Sequence, residues 1–125
     1  QRKRVAIAGA LAMQPCVLLL DEPTAGLDPH GVDEMVAALA QLEADATTVV
    51  ICTHEVDFAL GWADTAAVLV DGTLRAGDPT ELLGDADLIG RARLRQPVVL
   101  QVAHRLGLPT TGVTGVAELV AALRP

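Results

Sequence analysis

The chain holds 125 residues, 51% of them apolar, with a formal net charge of −7. That is one domain's worth of sequence, enough to bury a real core. The acidic balance argues against a general nucleic-acid surface, and with Phe58 and Trp62 as the sole aromatics stacking on bases is not the expected binding mode. No apolar run reaches the roughly 20 residues of a membrane helix. The basic, Ala-rich start lacks a signal-peptide layout, so any membrane association is expected through a partner. Cys16 and Cys52 lack metal-ligand spacing and are expected to be buried thiols in a reducing cytoplasm. The chain opens at Gln1 rather than Met and is expected to be a fragment.

Residues 1–14 place Val5, Ala8, Leu11 and Ala12 at helical spacing. Arg2-Lys3-Arg4 sits at the opening turn, where cations are unfavourable unless anions lie near. A solvated charged turn is the simplest reading of that cluster. Gln14-Pro15 ends the helix. Val17 to Leu20 is fully apolar and runs into Asp21-Glu22-Pro23, the pattern of a buried strand in a parallel sheet. Open parallel sheets present ligand groups beyond the carboxyl ends of their strands, which is where Asp21 and Glu22 fall. Adjacent acids there can divide the work, one holding Mg²⁺ and its waters, the other polarising an attacking water. From the acids alone a second reading stands beside it: a strand that ends in acids because its loop is solvated.

Asp28 is the expected N-cap of a helix with Pro29 in its first turn. Val32, Met35, Val36, Leu39 and Leu42 form that helix's apolar stripe, to about Ala44. Residues 47–52 read as a second β-rich strand that again ends in polar residues, Thr53-His54-Glu55. A helix from Glu55 to Ala63 follows, carrying Phe58 and Trp62, then a strand at 66–70. Asp71-Gly72 signals a hairpin returning through 73–76, and Asp78-Pro79-Thr80-Glu81 opens a short helix. The alternation of strands and helices predicts an α/β fold with a parallel sheet, strand 66–70 included. Residues 85–125 are expected to be a helical C-terminal extension, with helices near 85–95, 97–106 and 115–123. Arg91, Arg93 and Arg95 read as a solvated face. His30 and His104 have no partner at metal spacing.

Taken together, these segments carry a resemblance. Gln1-Arg2-Lys3-Arg4-Val5-Ala6-Ile7-Ala8 resembles the end of an ABC-type signature motif and its following helix. Leu18-Leu19-Leu20-Asp21-Glu22-Pro23 is similar to a Walker B strand, Ala25-Gly26-Leu27-Asp28 to a D-loop, and Thr53-His54-Glu55 to a switch-histidine loop. Order and spacing match as well, over residues 1–84. The chain therefore resembles the ATP-binding cassette ATPases, a P-loop NTPase fold, here without its N-terminal half. The resemblance implies that Asp21 holds Mg²⁺ through its water shell and that Glu22 positions and deprotonates the attacking water. It implies that His54 contacts the γ-phosphate of ATP, that Asp28 couples two nucleotide sites across a dimer interface, and that Gln1 ends a signature facing the partner's nucleotide. Phosphoryl transfer is mostly positioning and electrostatics, and these are parts it requires.

No Gly-rich loop ending in G-K-[ST] occurs in the sequence, and without such a phosphate cradle the isolated chain is expected neither to bind nor to hydrolyse ATP appreciably. Loss of neighbouring strands also predicts exposed edges and self-association. The tail from Pro97 to Pro109 and the helix after it resemble the C-terminal domain of energy-coupling-factor ATPases, the CbiO-like subunits of cobalt, nickel and vitamin importers. That resemblance implies a second ATPase subunit and a transmembrane coupling subunit as partners, and a place on the cytoplasmic face of the membrane. A non-transport ABC ATPase of DNA repair or the ribosome, and a non-catalytic dimerisation remnant, stay open as alternatives.

Overall fold

The computed structural model describes residues 2–44 and 47–124. In chain order these form α1 (Arg2–Ala12), β1 (Val17–Asp21), α2 (Pro29–Ala44), β2 (Thr48–Cys52), α3 (Val56–Trp62), β3 (Ala66–Val70), β4 (Thr73–Gly77), α4 (Pro79–Gly84), α5 (Ala86–Arg91), α6 (Val98–Arg105) and α7 (Val116–Ala122). They divide into two compact units, Gln1–Thr53 and His54–Pro125.

In Gln1–Thr53, β1 and β2 pair in parallel, from Val17 opposite Thr48 to Asp21 opposite Cys52. A parallel pair needs a crossover, and α2 supplies it. Entry to the pair is fixed by Thr48 N–H on the Cys16 carbonyl at 2.9 Å and Thr47 Oγ1 on the Pro15 carbonyl at 3.0 Å. Met35, Leu39 and Leu42 recur at i, i+4 and i+7 along α2 and are buried, as is Leu18 of β1. Side chains alternate across a sheet, so Leu18, Leu20, Val49 and Ile51 share one face while Val17, Leu19, Val50 and Cys52 share the other. That second face is open to solvent: Leu19 is 73% exposed. Its exposure corrects the expectation of a buried strand at 17–20, of which only Leu18 is buried, and with it the expectation for the cysteines. Cys52 lies on the uncovered face, Cys16 lies in a bend before β1, and both thiols are free and exposed.

In His54–Pro125, β3 and β4 form an antiparallel hairpin. Asp71 and Gly72 both have positive φ, 49° and 74°, the backbone of a tight primed turn whose twist matches paired strands. Among the described residues β3 pairs with β4 alone. The turn chemistry gives β3 this antiparallel partner along one edge. Burial alternates along β3, with Ala66, Val68 and Val70 inward. Val68 joins Leu60, Leu83, Ile89, Leu100, Ala103, Val113 and Leu119 in one apolar core, which thus draws on residues either side of 84. Helix ends are tied by side chains. Asp78 accepts from the Thr80 and Glu81 amides, Asp85 from the Asp87 and Leu88 amides, and Asp57 of α3 from the Val98 amide at the start of α6, at 2.8 Å. Arg91 is not merely solvated; it pairs with Asp71 of the hairpin turn.

Candidate functional site

The carboxyl ends of β1 and β2 carry the acids. Asp21 closes β1 and is exposed. Glu22, the next residue, takes φ 44°, a left-handed conformation that costs a residue with a Cβ. Its N–H donates to the Cys52 carbonyl at 2.8 Å, extending the parallel ladder one step beyond Asp21 before the chain turns away. The half-buried Glu22 carboxylate accepts a hydrogen bond from Thr53 Oγ1, Oε2 to oxygen 3.1 Å. One strand end thus holds the acid and the other holds its carboxylate.

The loop from Glu22 to Asp28 is built from tight turns. Ala25 N–H reaches the Glu22 carbonyl at 3.2 Å and Leu27 N–H the Thr24 carbonyl at 3.0 Å. Gly26 sits at φ 77°, where a side chain would be strained. Pro23 and Thr24 are buried, and the Thr24 hydroxyl has no hydrogen-bond partner among the described residues. Asp28 caps α2: its Oδ1 accepts from Gly31 N–H at 2.7 Å, while its carbonyl takes Val32 N–H at 3.0 Å. A Cβ on Gly31 would lie 3.0 Å from that same Oδ1, so glycine lets the cap approach closely.

Of the residues singled out from sequence, Asp21 and Glu22 therefore share one sheet edge, and Asp28 starts the helix that follows. His54 is exposed, opens the second unit, and directly follows Thr53 in the chain. Gln1 lies outside the described residues. Among the described residues no group of three or more His, Cys, Asp or Glu is placed to hold a metal, and no helix is long and apolar enough to cross a membrane. Sequence reading missed the Thr53 hydroxyl as a partner of Glu22. Its only signal was a hydroxyl residue at the end of the second strand.

A Streptomyces coelicolor protein named as an ABC transporter ATP-binding protein is 50% identical over 128 residues, spanning 98% of this chain and 45% of that protein. EcfA2 of Methanospirillum hungatei, an energy-coupling factor transporter ATP-binding protein, is 43% identical over 116 residues, spanning 90% of this chain and 29% of its own length. The solved structure of CbiO1 from Clostridium perfringens, part of the ABC transporter complex CbiONQ, matches with a TM-score of 0.59 and 39% identity, over 81% of this chain and 41% of that one. The chain is homologous to ABC transporter ATP-binding proteins. No protein-family model matches it. The chain spans less than half the length of these ABC relatives. Its mixed α/β architecture with a parallel strand pair matches part of the CbiO ABC ATPase fold, as the motif order in residues 1–84 implied.

Proposed function

We propose that this chain is the part of an ABC-type ATPase that carries its metal-binding and water-activating acids, in an importer of the energy-coupling-factor type. The observation that carries this reading is the sheet edge itself. Glu22 is turned off the end of β1 by a strained φ of 44° and its carboxylate is held by Thr53 at 3.1 Å. Strain of that kind persists where surrounding structure enforces it, and it concentrates at functional sites. The similarity to EcfA2 and CbiO1 supports the transporter class.

The donor set fits Mg²⁺. The ion takes hard oxygen ligands and commonly uses one or two carboxylates, with water and phosphate oxygens filling the rest of its shell. Asp21, an exposed carboxylate at the sheet edge, is the residue that would hold it. Bound there, the ion would neutralise charge on the phosphates of ATP. Glu22 accepts a proton from the attacking water as the water oxygen bonds the terminal phosphorus. The bond from that phosphorus to the bridging oxygen then breaks, its electron pair leaving with ADP. In this reading His54 contacts the γ-phosphate, Asp28 couples paired nucleotide sites, and Gln1 faces the partner's nucleotide. The partners are a second ATPase subunit and a membrane coupling subunit on the cytoplasmic face, with cobalt, nickel or a vitamin as cargo class. The division into an ATPase part, 1–84, and a C-terminal extension, 85–125, belongs to the same proposal.

The isolated chain, without a phosphate cradle, is proposed to be inactive. The test is a chimera in which this chain replaces the matching segment of the Streptomyces coelicolor relative. ATP turnover in the chimera, lost in Glu22→Gln, is the expected result. Full turnover in the Glu22→Gln chimera refutes the assignment of Glu22, and Glu22-dependent turnover by the isolated chain refutes its inactivity.

A further inference from the structure

We propose that Thr53 is a positioning residue for ATP hydrolysis, holding the Glu22 carboxylate where the attacking water is activated. The inference rests on the reading of Glu22 as the water-activating acid. Three observations in one unit converge on it. The Glu22 amide is locked to the Cys52 carbonyl at 2.8 Å, which fixes where the side chain departs. The positive φ of Glu22 turns the backbone away from the strand direction at that same point. The Thr53 hydroxyl, on the residue after Cys52, donates to Glu22 Oε2 at 3.1 Å. Backbone anchor and side-chain anchor therefore come from adjacent residues of the neighbouring strand end, and both act on one glutamate.

The chemistry gives this arrangement a use. A glutamate has a long, rotatable side chain, and ordering it costs rotamer entropy. A hydroxyl that meets the carboxylate before substrate arrives removes that cost from the reaction step. A carboxylate offers about four lone-pair sites, so accepting from Thr53 is compatible with accepting from a water. Displacement of a reacting group by about 1 Å can cost on the order of 100-fold in rate, so a threonine that never touches ATP can still govern turnover. Thr53 also supplies only a methyl and a hydroxyl. Its methyl can be removed without touching the hydrogen bond, and its hydroxyl can be replaced by a methyl at nearly constant shape.

That pair of substitutions is the test, made in the Streptomyces coelicolor chimera and read as steady-state ATP hydrolysis. Thr53→Val is expected to lower kcat about 10- to 100-fold with KM for ATP nearly unchanged, while Thr53→Ser restores kcat to near the parent value. A loss carried by KM alone, equal losses in both variants, or no loss in Thr53→Val overturns the proposal. Full turnover in the Glu22→Gln chimera instead removes the premise, a result distinct from any Thr53 outcome, and takes the proposal with it. NMR on the isolated chain makes the result independent of chimera assembly. Thr53→Val is expected to average the Glu22 side-chain couplings, and Thr53→Ser to preserve them. A Glu22 side chain equally ordered in wild type and Thr53→Val overturns the proposal even where the chimera does not turn over.

Discussion

The two compact units bury apolar surface in different ways. In His54–Pro125 the core gathers Leu60, Val68, Leu83, Ile89, Leu100, Ala103, Val113 and Leu119 from helices, a strand and a loop. In Gln1–Thr53 the buried apolar side chains among the described residues are Leu18, Pro23, Met35, Leu39 and Leu42, from α2, one face of the strand pair and the loop after β1. The other face presents Val17, Leu19 and Val50 to solvent at 55%, 73% and 47% exposure. Parallel sheets ordinarily carry cover on both faces. The unit that bears the acids is thus the one that leaves an apolar sheet face exposed. Local hydrogen bonds, rather than a deep core, hold the acidic edge in shape.

The largest expected effects break this comparison in its cores. Leu39 and Leu100 are both fully buried, and truncating such a leucine to alanine costs about 2–5 kcal/mol. Leu100→Ala should remove hydrogen-exchange protection from His54–Pro125 and leave the β1–β2 amides protected. Leu39→Ala should do the reverse. Loss of protection over the whole chain in either variant would merge the two units into one cooperative body. The open face gives the next effect. Pairing the exposed face of one chain with another would bury side chains worth about 1.5–3 kcal/mol each, so the wild type should self-associate in sedimentation velocity. Leu19→Lys combined with Val50→Lys should weaken that association more than about tenfold without lowering the melting temperature. Unchanged association in the double variant would assign the contact to another surface.

What was legible in the sequence was local. The apolar run into Asp21-Glu22, the Asp28 and Asp78 caps and the Asp71-Gly72 turn each need only a few neighbouring residues, and each element stands where its pattern put it. The motif order carried the resemblance to ABC ATPases, and the comparisons agree with it. What was not legible depends on partners distant in sequence. Thr53 meets Glu22 across 31 residues, and Asp57 reaches the α6 amide across 41. Arg91 reads as solvated until the hairpin turn brings Asp71 to it. The cysteine reading failed for a related reason. Alternation assigns Cys52 to a face, but only the rest of the fold decides whether that face is covered.

Thr24 marks a finer contrast within the acidic loop. It is 2% exposed, and its hydroxyl has no partner among the described residues. Thr80 of the second unit is buried at 4% yet donates to Asp78. An unsatisfied buried hydroxyl costs about 1–3 kcal/mol, while an apolar group of the same shape does not. Thr24→Val should therefore stabilise the isolated chain by about 1 kcal/mol in urea unfolding, and Thr80→Val should destabilise it. Destabilisation by Thr24→Val would mean that its hydroxyl is satisfied in solution.

The smallest effect concerns the pH dependence of that Asp78 cap. The Thr80 hydroxyl, then the Glu81 amide, and to a lesser degree the Thr80 amide hold the Asp78 carboxyl below its ordinary value of 3.8, against a small opposing effect of burial. Because the folded value is the lower one, the charged cap stabilises the fold fully above the ordinary value. That contribution is lost as pH falls below 3.8 and through the folded value. Helix α4 touches α3, α5, α6, β3 and β4, so a loosened cap is felt by the second unit as a whole. Asp78→Asn keeps a neutral acceptor for the amides and removes the titration. Its melting temperature should therefore lie below wild type at neutral pH, with the gap closing in acid. A gap of constant size from neutral pH to acid would show that the cap acts through its geometry and not its charge. Since the cap belongs to His54–Pro125, the change should appear in the amides of that unit and leave those of β1 and β2 unmoved.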